Sequence, residues 1–234
     1  MSGRQVRSLV EAAAAWSLPA GADRTPVLVV AMGATALLGA TAAALLLGPL
    51  PTTLLLALAA LGVGFLYGTQ RTRLLHRLGA VRAADARLLN LVEGVAGAVG
   101  RRPPDTYVAP EVANAWALRG GDGGTVVVGE ALLERLGRTE LEGLLALCIA
   151  RLEHPAARAA RLGALAPLTA RAAAPLVGPE VDAAAAAVTR YPPAVEAALA
   201  ATAPPPRGTA AFAVAGGAPW DAPLDERRAL LTDL

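Results

Sequence analysis

Two uncharged apolar runs, set back to back near the N-terminus, limit this chain more than any other feature. Residues 27–47 (VLVVAMGATALLGATAAALLL) and 52–68 (TTLLLALAALGVGFLYG) contain no Asp, Glu, Lys or Arg. The first run, twenty-one residues as a helix at ~1.5 Å each, is roughly 31 Å long, the thickness of a bilayer core. The second is shorter but spans with its flanking residues. Between them GPLP (48–51) supplies a break, because proline lacks a backbone donor and restricts the residue before it. Helices buried inside a water-soluble fold usually carry some polar positions. The absence of charge across both runs therefore predicts a transmembrane hairpin over residues 27–69.

A signal peptide fits poorly, since the first run starts late, is long and leads into a second. Arg4, Arg7 and Arg24 precede the hairpin, Arg71, Arg73 and Arg77 follow it, and the turn carries no charge. The positive-inside rule then puts residues 1–26 and the globular region 70–234 both on the cytoplasmic side. The stretch VRSLVEAAAAW (6–16) reads as a short helix, either on the membrane surface or in solvent. A mean hydropathy of +0.48 agrees with embedded segments. Dominance of Ala and Leu, with only 3% aromatics, favours helix over sheet.

Charge excludes one class of function. A formal net charge of +2 gives no electrostatic case for nucleic acid. All the basic residues are Arg, a bias best explained by codon usage, although Arg also suits paired carboxylates. The single cysteine, Cys148, excludes an internal disulfide.

From about residue 80 the pattern turns globular. Leu88, Leu91, Val92 and Val95 fall at helical spacing, and Gly100 suits the end of that helix. TYVAP (106–110) and GGTVVVG (123–129) read as short strands joined by a glycine-rich hairpin-like connection. Residues 129–153 read as two helices, the second capped by Thr139. Residues 163–178 are interrupted by Pro167, Arg171 and Pro175 and read as helix or loop. Helices are expected in PEVDAAAAAVTR, in PPAVEAALAAT and in LDERRALLTDL, with a flexible loop at 203–219. The fold class is α+β and mostly helical, with a small sheet.

Several of these pieces stand in a familiar order: NAWA (114–117), TVVVGEALLERL (125–136), TELEGLLA (139–146), EVD (180–182) and PLDER (223–227). Together they resemble the M48 family of zinc metallopeptidases, in its membrane-anchored, HtpX-like branch. The resemblance implies a zincin-like domain, a bacterial plasma membrane and a zinc helix of the form HExxH following TELEGLLA. In that motif two histidines one turn apart bind zinc, and the glutamate between activates water. Here the three positions hold Leu147, Cys148 and Arg151. Leu147 has no donor atom, and a guanidinium stays protonated and cannot ligate zinc. Only Glu180, at the third-ligand position, keeps its type, with Asp182 beside it.

Two rescues of chemistry fail on spacing. His76 and His154 are the chain's only histidines. His154 lies about 10 Å along the helix from Leu147, so with Glu180 it makes at best an incomplete zinc site. It reads better as the polar end of the helix, before Pro155. Cys148 and His154 are six residues apart, about 240° around a helix, and cannot form a dyad. Arg151 lies near enough to lower the Cys148 thiol pKa, but a lone Cys in an apolar run is more often a small core residue.

The resemblance therefore implies a pseudo-peptidase with no cofactor, no metal and no catalytic residue. In it the Arg151 cation replaces zinc and pairs with Glu180 or Asp182. Thr125, Val126, Val127 and Val128 would form the edge of a peptide groove that accepts a strand from a partner protein. Partners are then a protein in or at the membrane and the bilayer itself, with a homo-oligomer compatible. Two other readings stay open: an active membrane-bound endopeptidase or hydrolase with a non-standard site, and a purely structural subunit of a membrane complex.

Overall fold

In the computed structural model, the residues described are 25–120, 123–154, 157, 161, 164–165, 179–216 and 221–234. The expected helix at 6–16 and nearly all of segment 163–178 lie outside them.

The described residues begin with two apolar helices, α1 (Thr25–Leu47) and α2 (Pro49–Gly68). A single residue separates them. Gly48 has φ 86°, a conformation that costs an L side chain a steric clash, so glycine makes the break. The prolines do not end a helix here. They open α2, where a missing N–H costs nothing. Thr52 closes the first turn by donating its hydroxyl to the Gly48 carbonyl at 2.7 Å.

Of the described helices, the one over Leu50–Gly68 is long and apolar enough to cross a membrane, and it is almost wholly unburied. In α1 the corresponding apolar stretch is the shorter Gly33–Leu46. Leu38, Leu45, Leu61 and Phe65 are all exposed. After Thr69, α3 (Gln70–Arg77) carries the chain on, with Leu74 buried against the sheet.

The domain is α+β and mostly helical, around one small mixed sheet. Strand β1 (Val81–Arg82) is followed by α4 (Ala86–Ala98), β2 (Asp105–Ala109), β3 (Ala115–Leu118) and β4 (Thr125–Gly129). Strand order is β1-β2-β4-β3, with β2 and β4 parallel and the other pairs antiparallel. Alternation divides the sheet between two apolar clusters. Val126, Val128, Ala115 and Ala117 face the main helical core, while Val127, Trp116 and Leu118 face Leu74, Leu78 and Phe212.

Strand β3 lies inside the segment expected to be a simple connection. Its AWAL sequence is short, but every residue is buried, which an edge-of-loop segment would not achieve. In α4, Asp85 caps the helix through Arg87 N–H at 2.9 Å, and Leu88, Leu91, Val92 and Val95 form the buried face.

Helix α5 (Glu130–Arg135) leads to α6 (Arg138–Glu153), the centre of the domain. Gly137, rather than Thr139, is its N-cap, and the Glu140 carboxylate accepts the Gly137 N–H at 2.7 Å. A helix apolar all round must be buried all round, and α6 is covered by α4, β3, α7 (Pro179–Thr189) and α8 (Pro192–Ala200). Gly143 permits the closest of these approaches. A Cβ there would lie 2.9 Å from the Ala194 carbonyl carbon. Within the stretch expected to be a flexible loop, Ala210–Phe212 form a 3-10 turn and Ala213 and Val214 are buried. Helix α9 (Leu224–Thr232) closes the fold.

Candidate functional site

The three positions that the resemblance matches to a zinc helix, Leu147, Cys148 and Arg151, are all buried in α6. Leu147 and Cys148 are fully buried in the main core. Burial pushes the Cys148 thiol up to about 12, overriding the opposing pull of the Arg151 charge. A thiol held there is neutral at physiological pH, so Cys148 is a small apolar core residue and not a nucleophile.

Arg151 stands in the last turn of α6 with its side chain only 6% exposed. Its partner is neither Glu180 nor Asp182. Arg151 Nη2 donates to Asp221 Oδ1 at 2.7 Å, and Asp221 is itself 4% exposed. The reason is competition. Asp182 is already held by Arg227, whose Nε and Nη2 donate to its two oxygens at 2.8 and 2.7 Å. Arg227 Nη1 donates to the Val214 carbonyl at 2.7 Å. The Asp182–Arg227 pair is bidentate and fully buried, the strong form of such a contact.

Glu180 meets His154. The histidine is the C-cap residue of α6, as its position before Pro155 suggests, and is fully buried. Its Nε2 lies 3.4 Å from Glu180 Oε1, an ion-pair separation more than a short hydrogen bond. The structure therefore brings His154, which helical spacing sets apart from Leu147, against Glu180, the residue at the expected third-ligand position.

The four charges Arg151, Asp221, Asp182 and Arg227 form one coupled group. Burial raises the carboxyl pKa of Asp182 and of Asp221, with the neighbouring arginines pulling the other way. Burial works against the Arg227 cation, yet Asp182 and Asp221 together hold its pKa above the usual value. Glu180 would be raised by burial, but the His154 contacts and a backbone hydrogen bond bring its pKa below the ordinary carboxylate value. Among the described residues, Arg151 Nη1 and Asp221 Oδ2 have no hydrogen-bond partner. Among the described residues no three His, Cys, Asp or Glu side chains gather in a way that could hold a metal ion.

The expected peptide-groove edge is corrected by the topology. Thr125, Val126, Val127 and Val128 belong to β4, which is paired on both sides, to β2 and to β3, and is wholly buried. A central strand has no free backbone to offer a guest. The outer strand next to it is β3, and the chain's own residues cover that edge. Trp116 bridges to Ala213, and Val214 N–H donates to the Ala115 carbonyl at 2.8 Å. Asn114 fastens the covering segment. Its Nδ2 donates to the carbonyls of Ala203 at 2.6 Å and Ala215 at 2.8 Å.

Asp221 as the partner of Arg151, and Arg227 as the partner of Asp182, were missed from sequence. The only trace of Asp221 is a lone acidic residue in a proline-flanked apolar loop. His76 belongs to the last turn of α3, on the other side of the sheet from α6. Comparison with family models, with curated proteins and with solved structures finds no match to this chain.

Proposed function

We propose that this is a membrane-anchored protein of pseudo-peptidase type, tethered by the α1–α2 hairpin, whose domain acts by holding a protein partner at the membrane and not by catalysis. The observation that carries this reading is the Arg151–Asp221 pair. Where a zinc helix would present its second histidine, this chain buries a cation and closes it against a carboxylate 2.7 Å away. Cys148 is buried and neutral, while Asp182 and Glu180 are occupied by Arg227 and His154. The polar groups on α6 and α7 are thus engaged, Arg151 by Asp221, Asp182 by Arg227, and Glu180 by His154.

The likeness to M48 peptidases rests on the ordered sequence elements. Asp182 and Arg227 support it, because their contact joins the EVD and PLDER segments. With β3 covered, the partner surface moves away from the sheet edge. A structural-subunit reading is favoured by one observation: Gly33 and Gly39 in α1 and Gly62 and Gly64 in α2 have open space around them. Small residues of that kind let neighbouring helices approach closely in a bilayer.

Site-specific photo-crosslinking of the full-length chain in native membranes tests the proposal. Probes at Leu38 and Leu61 report contacts of the helices, and a probe at Glu93 reports contacts of the domain. Discrete protein adducts at Glu93 support an adaptor, and adducts confined to the helix probes support a structural subunit. Metal-dependent cleavage of a test protein by the purified chain overturns both.

A further inference from the structure

Where α2 ends, a cavity of about 270 Å³ opens between the helix and the sheet. Gly68, the last residue of the apolar helix, lines it, together with Arg71, Asp105, Arg119, Gly120 and Arg161. Among the described residues, three guanidiniums thus face one carboxylate, and that carboxylate is taken, since Arg71 Nη2 lies 2.7 Å from Asp105 Oδ2.

The other two arginines are held entirely by neutral groups. Arg161 donates to Gln70 Oε1 at 3.0 Å and to the carbonyls of Arg119 and Tyr67, each at 3.1 Å. Its guanidinium also stacks on the Tyr67 ring, 3.9 Å from the centroid. Arg119 donates to the carbonyls of Leu152 at 3.2 Å and Glu153 at 3.4 Å, at the C-terminal end of α6. Among the described residues neither has a carboxylate partner, and each guanidinium is held in place by the neutral groups named.

An adjoining cavity of about 240 Å³ shares Arg119 and Gly120 and adds Arg101 and Arg102. Among the described residues its one carboxylate is Glu153, engaged by Arg101 at 3.0 Å. The result is a basic trough in which each described carboxylate already has an arginine partner. Planar guanidinium forks held in fixed orientation are suited to phosphate oxygens.

We infer that this trough binds the phosphate of an anionic phospholipid headgroup. The lipid source, over a soluble phosphate, follows from position. Exposed Leu58, Leu61 and Phe65 run along α2 to the residue that lines the cavity. If α2 spans the bilayer, Gly68 marks the depth of the headgroups, with Tyr67 at the interface where aromatic side chains gather. The inference rests on the membrane reading of the hairpin.

The test uses full-length protein solubilised in mild detergent with equal amounts of phosphatidylglycerol and phosphatidylcholine, and native mass spectrometry of the lipids retained. Wild type is expected to retain phosphatidylglycerol in preference by roughly five- to thirty-fold, the scale set by one or two basic side chains near an anionic surface. The Arg119→Gln/Arg161→Gln variant loses that preference, while Arg73→Gln/Arg77→Gln, outside the trough, keeps it. Equal retention of both lipids by wild type overturns the inference and needs no variant to fold. Equal loss in both double variants also overturns it, showing diffuse attraction. Titration with inorganic phosphate alone separates the sources. Binding that depends on Arg119 and Arg161 without any lipid preference would assign the trough to a soluble phosphate. Carbonate extraction of native membranes separates the two readings: release of the chain ends the anchoring reading, whereas retention without lipid discrimination ends only this one.

Discussion

Replacing Arg151 by leucine removes one partner of a buried pair and leaves Asp221 alone. Both side chains are nearly excluded from solvent, at 6% and 4% exposure. At ~4 Å between charge centres and an effective dielectric of ~20, their attraction is about 4 kcal/mol. Desolvating each ion costs several kcal/mol, so attraction and desolvation largely cancel. Arg151 Nη1 and Asp221 Oδ2, which find no partner among the described residues, add no hydrogen bond to offset that desolvation. The single Arg151→Leu variant should therefore lose ~3–5 kcal/mol. At ~2–4 °C per kcal/mol for a chain of this size, the melting temperature falls by about 6–20 °C. The double variant Arg151→Leu/Asp221→Leu should return to within ~1 kcal/mol of wild type or exceed it. Thermal unfolding followed by circular dichroism in mild detergent reads both. A single variant that melts within ~2 °C of wild type, or a double variant as unstable as the single, would refute the reasoning. The Asp182–Arg227 pair behaves differently, because the Val214 carbonyl also depends on Arg227; replacing both of its members should remain destabilising.

Three further outcomes follow from the same physics. Leu61→Arg puts a charge within the exposed apolar run of α2, at a cost of ~2.5–3.5 kcal/mol near a bilayer centre, and should reduce the carbonate-resistant fraction; undiminished resistance would argue against a spanning helix. Cys148, with its thiol pushed up to about 12, should resist maleimide in the folded protein at neutral pH and react fully in denaturant. Prompt labelling of the native chain would contradict its burial. Glu180 has a lowered folded pKa, so its stabilising contribution is complete above the unfolded value of 4.5 and is lost as pH falls through the folded value. Glu180→Gln should therefore flatten the acid limb of melting temperature against pH, and an unchanged limb would show that the His154 contact carries no weight.

What the sequence disclosed follows the range of the interactions concerned. Helix α4 was legible because Leu88, Leu91, Val92 and Val95 repeat at helical spacing and Asp85 caps locally. Strand β4 was legible as a strand, from its run of valines, but not as central, because strand order depends on residues 115–118 returning beside it. Strand β3 itself was hidden, since four buried residues next to glycines carry too short a pattern. In the candidate site, α6 and α7 do pack together, as the order of motifs implied. The identity of the partners was beyond reach. Asp221 is seventy residues from Arg151, in irregular structure, and only the full geometry shows that Arg227 claims Asp182 first.

The central claim is that the α6–α7 position of a metal centre is filled by structural ion pairs. Its most direct test is the zinc content of the full-length chain purified from zinc-supplemented cells, measured by plasma mass spectrometry beside Glu180→Gln. Wild type should carry far less than one equivalent, and the variant should not differ from it. One equivalent of zinc in wild type, lost when Glu180 is replaced, would contradict it.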